Sequence, residues 1–252
     1  MDVTNRYVLA FARRFPGAAM LDFGCGAGRL VEAARAEGMD MRGSDVYYAG
    51  SATRAEAAAR GLLGTQILEA GESSIPFADA SFDLVVNNQV MEHVADLDRT
   101  LAEIHRVLRP QGTLLSVFPS RDVWREGHIG IPFSHWFKRG SRARFYYTWA
   151  LRALGAGSWK QQAPTCRAWA VDKLDWIDRY TYYRRRNDIF SAFNRYFKNE
   201  FHESDYIRFR LRDRGWRAPI ARLLDLPLVT PVARALFRKL AFFVIVSRRR
   251  QA

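Results

Sequence analysis

Residues able to do chemistry gather at three places along the chain. The first is Asp22 with the run Gly24-Cys25-Gly26-Ala27-Gly28, set between a short apolar stretch, Ala18 to Phe23, and a helical pattern through Leu30, Val31 and Ala34. A strand that passes through such a loop into a helix presents backbone N–H groups and a helix N-terminus at the carboxyl edge of a sheet, where open α/β folds take ligands. The spacing is Gly-x-Gly-x-Gly, which departs from the dinucleotide fingerprint. With Asp22 just upstream it suits a ligand carrying an ammonium group better than a pyrophosphate. A tight structural turn is the competing explanation. Asp45 closes the next strand pattern, about twenty residues on, where a carboxylate can accept from both hydroxyls of a ribose. Together the two carboxylates describe an aminated nucleoside.

The second place is Asn88, Gln89, Glu92 and His93, which follow the apolar run beginning at Phe82. The third is Trp124 to Trp136, after the next strand, with Glu126, His128 and His135 set among Gly127, Gly130 and Pro132. Histidine is the natural proton carrier near neutral pH, and a polar cluster in a shaped loop at the ligand edge is a functional candidate. His128 with Glu126 as its orienting partner is ranked first as a general base, and His93 with Glu92 is its rival. Capping of the following helix is the plain alternative for Glu92 and His93. His105 shares a helical face with Leu101 and Leu108 and reads as structural. His202 precedes a helix start and is uninformative.

The elements that must position these groups follow a βαβ rhythm. Strand patterns at Ala18 to Phe23, Met39 to Asp45, Gln66 to Leu68, Phe82 to Asn88 and Thr113 to Phe118 alternate with helical ones, so five β–α steps fill residues 1–120. Residues 121–200 break the rhythm: they are rich in Trp, Tyr, Phe and Arg, and offer helices but no clear strand. Helical order returns at Glu203 to Arg214. A strand is expected at Trp216 to Leu224, a helix at Val232 to Lys239 and a final strand at Leu240 to Ser247. The expected organisation is a ligand-binding domain of residues 1–120 and 201–252, with 121–200 inserted as a basic, aromatic lid.

Composition agrees with one large folded unit. The 252 residues are 48% hydrophobic and 26% charged, which excludes a disordered chain. The two cysteines, Cys25 and Cys166, make neither a disulfide framework nor a metal-ligand spacing, and imply a reduced compartment. Polar residues near the N-terminus interrupt any signal-peptide core, and the longest apolar run, Leu240 to Val246, is far short of a membrane span. A cytoplasmic location is expected, with a place at the inner face of a membrane as its variant. The net charge of +13 is unevenly spread: 11 Lys and Arg stand against 15 Asp and Glu up to Ser120, and 28 against 11 beyond it.

Six segments together resemble the class I S-adenosylmethionine-dependent methyltransferases, in particular the type 11-like branch of small-molecule and quinone O-methyltransferases. They are Leu-Asp-Phe-Gly-Cys-Gly-Ala-Gly (21–28), Ser-Asp (44–45), Ile-Pro-Phe (75–77), Ser-Phe-Asp-Leu-Val-Val (81–86), Met-Glu-His-Val (91–94) and Glu-Ile-His-Arg-Val-Leu-Arg-Pro-Gln-Gly (103–112). The resemblance is strong over residues 18 to 120 and holds in outline over 203–247. It implies a Rossmann-like, doubly wound α/β sheet of seven strands whose last strand is antiparallel, with a mainly helical insertion after strand five. It also implies S-adenosylmethionine as cofactor, held by Asp22, Gly24, Cys25, Gly26 and Gly28 at the methionine end, by Asp45 at the ribose and by Glu72 near the adenine. Asn88 lies at the lip where the methyl group would emerge. Related quinone enzymes can hold a divalent metal with Glu-x-x-Glu-His; Gln89 replaces the first Glu here, and no metal is expected.

The acceptor is open at this level. A small-molecule, glycan or lipid-linked acceptor, methylated on oxygen, fits an aromatic lid that closes a pocket. The basic second half, in which arginine predominates (only five of the chain's 39 cations are lysine), also suits an anionic membrane surface or RNA. Without catalysis, the chain would be an S-adenosylmethionine-binding protein.

Overall fold

The computed structural model describes residues 1–48, 51–71, 74–213 and 215–250, without the side chains of residues 216 and 218. The strands are β1 (Ala19–Phe23), β2 (Asp40–Asp45), β3 (Ile67–Glu69), β4 (Phe82–Asn88), β5 (Leu108–Phe118), β6 (Phe197–Phe201) and β7 (Phe243–Arg249). They form one sheet in the order β3-β2-β1-β4-β5-β7-β6. The first five are parallel, and β7 runs antiparallel between β5 and β6. The expected seven-stranded mixed sheet is therefore present.

Alternation along the central strands builds a core on each face. Met20, Leu84, Val86, Leu115 and Val117 point to one side, beneath α1 (Val3–Ala12), α2 (Arg29–Ala36), α3 (Ala52–Ala59) and α8 (Glu203–Asp213). Leu21, Val85 and Leu114 point to the other, beneath α4 (Leu97–Val107) and α7 (Arg186–Tyr196). Two segments of the family resemblance act as clamps in this frame. Arg106 of α4 donates to the carbonyls of Ile75 and Phe77 at 2.9 Å and pairs with Glu103 and Asp79, while Glu103 accepts from the Ile75 amide at 3.0 Å. Asp83 accepts from the Ala19 amide and from Arg109, joining β4 to β1.

The sequence expectations fail at three elements. Trp216 to Leu224 is not a strand but lies within a 3-10 helix, Gly215–Asp225, because Ala221 and Leu224 are the buried residues, three apart, while Ile220 and Leu223 are exposed. Residues 121–200 do contain strand residues, since β6 begins at Phe197. It is a sheet edge on which Lys198 and Glu200 alternate outward and only Phe197 is buried. Finally, β5 begins at Leu108 instead of Thr113, with a register irregularity against β4.

Between β5 and α7 the chain leaves the sheet. This stretch carries α5 (Arg142–Ala153) and α6 (Cys166–Tyr180) around its own apolar cluster of Ile129, Ile131, Trp169, Ala170 and Ile177. After α6 the chain runs extended past the carboxyl ends of the strands, and the Tyr182 amide donates to the Glu92 carbonyl at 2.6 Å. The last helix, α9 (Val229–Leu240), leads into β7.

Candidate active site

β1 leads into a loop that only glycine can make at two of its turns. Gly24 has φ +78°, and a Cβ there would lie 2.3 Å from Val90 Cγ2; Gly28, at φ +75°, would meet Ile67 Cδ1 at 2.5 Å. Asp45 at the end of β2 holds the loop closed. Its Oδ2 accepts from the Gly26 amide at 2.7 Å and its Oδ1 from the Tyr47 amide at 2.9 Å, while the Tyr47 hydroxyl donates to the Gly26 carbonyl at 2.9 Å. Cys25 is buried with its sulfur against Gly43, so its side chain packs the loop. Asp22 is buried below the loop. Burial and, after it, the charge of Asp45 push its pKa up to about 7, and among the described residues no cation pairs with it.

A cleft of about 320 Å³ opens over this loop, lined by Gly24, Asp45, Gln89, His93, Tyr180 and Tyr182 among others. Gln89 follows β4 with φ +58° and its amide donates to the Val117 carbonyl at 2.7 Å. Asn88 turns toward α1, where its side-chain amide donates to Asn5 Oδ1 at 2.9 Å. Glu72 lies outside the described residues.

The two candidate bases are not rivals in space, for they touch. His93 Nδ1 lies 2.6 Å from the Tyr180 carbonyl and His128 Nε2 lies 3.2 Å from His93 Nε2. A carbonyl only accepts, so the His93 proton is on Nδ1 and its Nε2 is a lone pair; His128 Nε2–H then donates to it. On its other side His128 Nδ1–H donates to Glu126 Oε1 at 2.7 Å. The Tyr183 hydroxyl donates to the same oxygen at 2.6 Å, and the Ile129 amide to Oε2 at 2.7 Å. His128 is thus an imidazolium between a carboxylate and a neutral imidazole.

The surroundings enforce that charge pattern. Burial opposes the charge on His128, but the hydrogen bond and charge of Glu126 outweigh it and raise its pKa. Burial likewise opposes ionisation of Glu126, yet His128, Tyr183 and the Ile129 amide bring its pKa to about 2. His93 is held down to about 4, chiefly by burial. Glu92, next to it in sequence, is buried with neither carboxylate oxygen hydrogen-bonded, and burial raises its pKa to about 8. Glu92, His93 and His128 offer ligand atoms within 4.8 Å of one another. Two imidazoles and a carboxylate are a donor set a divalent ion of the zinc type accepts, and both rings have the outer Nδ1 partner such sites use.

Sequence reasoning identified Glu126, His128 and His93 but missed the segment that completes the group. Tyr183 lies far along the chain from Glu126, in a stretch read from its arginines as a basic face. Arg184 instead donates to the carbonyls of Val94 and Ala95 at 2.6 and 2.7 Å, clamping the loop after His93. Aromatic alternation in Tyr180-Thr181-Tyr182-Tyr183 was the available signal. His135 is buried beside Tyr183, ring centroids 4.9 Å apart, with Nε2 donating to the Arg121 carbonyl at 3.1 Å.

Comparison with known proteins agrees with this geometry. Residues 21–116 match the methyltransferase domain family. The ubiquinone biosynthesis O-methyltransferase of Mesorhizobium japonicum is 30% identical over 133 residues, covering 52% of this chain and 53% of that protein. The demethylmenaquinone methyltransferase of Symbiobacterium thermophilum is 31% identical over 158 residues, 55% of this chain and 62% of that one. The chain thus spans little more than half the length of these curated relatives. Among solved structures, an S-adenosylmethionine-dependent methyltransferase from Mesorhizobium loti superposes over 99% of this chain and 100% of its own with a TM-score of 0.53 at 19% identity. The cyclase SpnF reaches 0.50 at 18% identity over 98% of this chain and 81% of its own, so the fold by itself does not select the reaction. Residues 21–116 are thus similar to a methyltransferase domain, and over nearly the whole chain the likeness to these solved structures is one of fold.

Proposed function

We propose that this protein transfers a methyl group from S-adenosylmethionine to a hydroxyl of a small acceptor, glycan or lipid-linked molecules included. In this reading residues 1–120 and 201–252 bind the donor, and 121–200 form the lid over the acceptor. The observation that carries it is His93, which lines the cleft over the glycine loop and at the same time touches the Glu126–His128 pair.

The cleft fits the donor by its chemistry. Asp22 is a buried carboxylate in need of a cation, and the donor brings an ammonium and a sulfonium. Gly24 and Asp45 line the cleft, and Asp45 is placed to receive ribose hydroxyls. When bound, the donor supplies a methyl group open to in-line displacement. The chain's own residues align the acceptor and manage its proton. His128 can take that proton at Nε2 once it has lost its own, while Glu126 keeps the Nδ1–H in place. This division of labour parallels the carboxylate–histidine pair of hydrolases.

The test is an acceptor screen with methyl-labelled donor on fractionated small-molecule and lipid extracts. The reading expects a labelled product that disappears with His128→Ala. Donor binding without any labelled product would leave a donor-binding protein that does not transfer.

A second feature favours placement at an anionic membrane surface. Leu228, Val232, Leu236 and Leu240 recur every fourth residue along α9 and are all more than half exposed, Leu228 by 82%. Leu223 and Leu226, shortly before the helix, are exposed as well, and Arg222 and Lys239 lie beside these residues in sequence. Such a basic amphipathic face lies at lipid interfaces. Among the described residues no helix is long and apolar enough to cross a membrane.

A further inference from the structure

Behind the candidate site lies a second cavity, of about 530 Å³. The chain that separates it from the cleft is extended at Thr181, and successive side chains of an extended chain point to opposite sides. Tyr180 and Tyr182 accordingly line the cleft, while Thr181 and Tyr183 line the cavity. Tyr183 therefore presents its ring to the cavity and its hydroxyl to Glu126.

The charged lining of the cavity is cationic: Arg121, Lys138, Arg139 and Arg144, with no carboxylate among the described lining residues. Arg144 is buried and ion-paired to Asp178, yet its Nε has no acceptor. Arg139 donates to the carbonyls of Asp178 and Thr181, with its Nε 3.8 Å from the Asp178 carboxylate. Arg121 donates to the Trp136 carbonyl at 3.1 Å. Carbonyls satisfy N–H groups without cancelling charge, and among the described residues neither Arg121 nor Lys138 has a carboxylate partner. Like charges held around one cavity repel, and an anion between them relieves that repulsion.

We propose that the cavity binds a phosphate-bearing small molecule, with Arg121, Lys138 and Arg139 holding the phosphate. Guanidinium groups suit phosphate because their N–H groups pair with its oxygens. The inference goes beyond the reading above: residues 180–183 stand between this cavity and the donor cleft, so the ligand is an anion held beside Tyr183 and not the methyl acceptor.

Calorimetric titration of the full chain, without donor, with glucose 1-phosphate and in parallel with inorganic phosphate tests it. Saturable one-site binding of the sugar phosphate is expected, tighter than that of phosphate because it fills more of the cavity of about 530 Å³. The double substitution Arg121→Gln, Lys138→Ala weakens both by ten-fold or more. Lys138 is exposed, so Lys138→Ala alone keeps the fold and carries the test if the double variant does not. No saturable binding, undiminished binding by the double or Lys138→Ala variant, or equal affinity for the two ligands overturns the proposal. A parallel titration with S-adenosylhomocysteine separates the two failures: loss of that binding alone sinks the methyltransferase reading and leaves the anion site standing.

Discussion

Glu92 and Glu126 are both buried carboxylates beside the histidine pair, and the protein pushes them in opposite directions. Glu126, at about 2, is ionised in the folded state, so its contribution to stability is present above the unfolded value of about 4.5 and fades as pH falls toward 2. Glu92, at about 8, keeps its proton when folded and loses it when unfolded, so its ionisation erodes stability as pH rises from about 4.5 to 8. Thermal unfolding should find Glu92→Gln close to the parent at pH 5 and more stable than it at pH 8.5. A gap that closes or reverses with rising pH would mean that a cation, such as a divalent ion between Glu92 and the imidazoles, compensates the carboxylate. For His128 the raised pKa places the acidic limb of the pH–rate profile above the usual histidine value of about 6.5. Glu126→Gln should move that limb down, and His128→Ala should lower turnover by roughly 10²–10⁴-fold with donor affinity unchanged. Near-full turnover by His128→Ala with chemistry rate-limiting would exclude the base assignment. Glu126 and His128 were legible in the sequence because they stand two residues apart in a shaped loop; their contact with His93 and Tyr183 was not, because it depends on where the insertion returns to the sheet.

At the scale of elements, the glycine loop separates a conformational need from a spatial one. Gly24 and Gly38 share a left-handed φ, but a Cβ at Gly38 meets nothing within 4 Å while at Gly24 it meets Val90. Gly38→Ala should cost about 1 kcal/mol of stability and leave donor binding intact. Gly24→Ala should cost more and also weaken donor binding; equal effects of the two in both assays would show that Val90 yields and the loop is not a cradle. The central strands could be read from sequence because burial on both faces makes them continuous apolar runs, as in Leu84-Val85-Val86. β6 could not, since an edge strand with Lys198 and Glu200 outward lacks that signature, and Gly215–Asp225 misled because a spacing of three mimics alternation over so short a run.

Across the whole molecule, an acidic half up to Ser120 is joined to a strongly basic one, and the structure puts the cations of the second to different uses. Arg184 clamps carbonyls, Arg121 and Lys138 face a cavity, and Arg222 and Lys239 stand next to exposed leucines in sequence. The membrane reading predicts that the protein sediments with phosphatidylglycerol-containing vesicles, less so as salt rises, and that replacing Leu228, Val232 and Leu236 together by Ser abolishes it without changing donor affinity. Sedimentation indifferent to that triple change would remove the α9 face from the account. Tight, steeply salt-dependent binding to an RNA oligomer would assign the basic half to nucleic acid instead.

The central claim, that the glycine-loop cleft is an S-adenosylmethionine site, is tested most directly by calorimetric titration with S-adenosylhomocysteine at pH 6 and pH 8. Asp22 must be ionised to pair with the ligand's ammonium group, and its pKa near 7 makes binding tighter at pH 8. The account predicts one-to-one binding with that pH dependence, removed by Asp22→Asn, and weakened at least ten-fold by Asp45→Ala. Absence of binding at either pH, or binding indifferent to both aspartates, would contradict it.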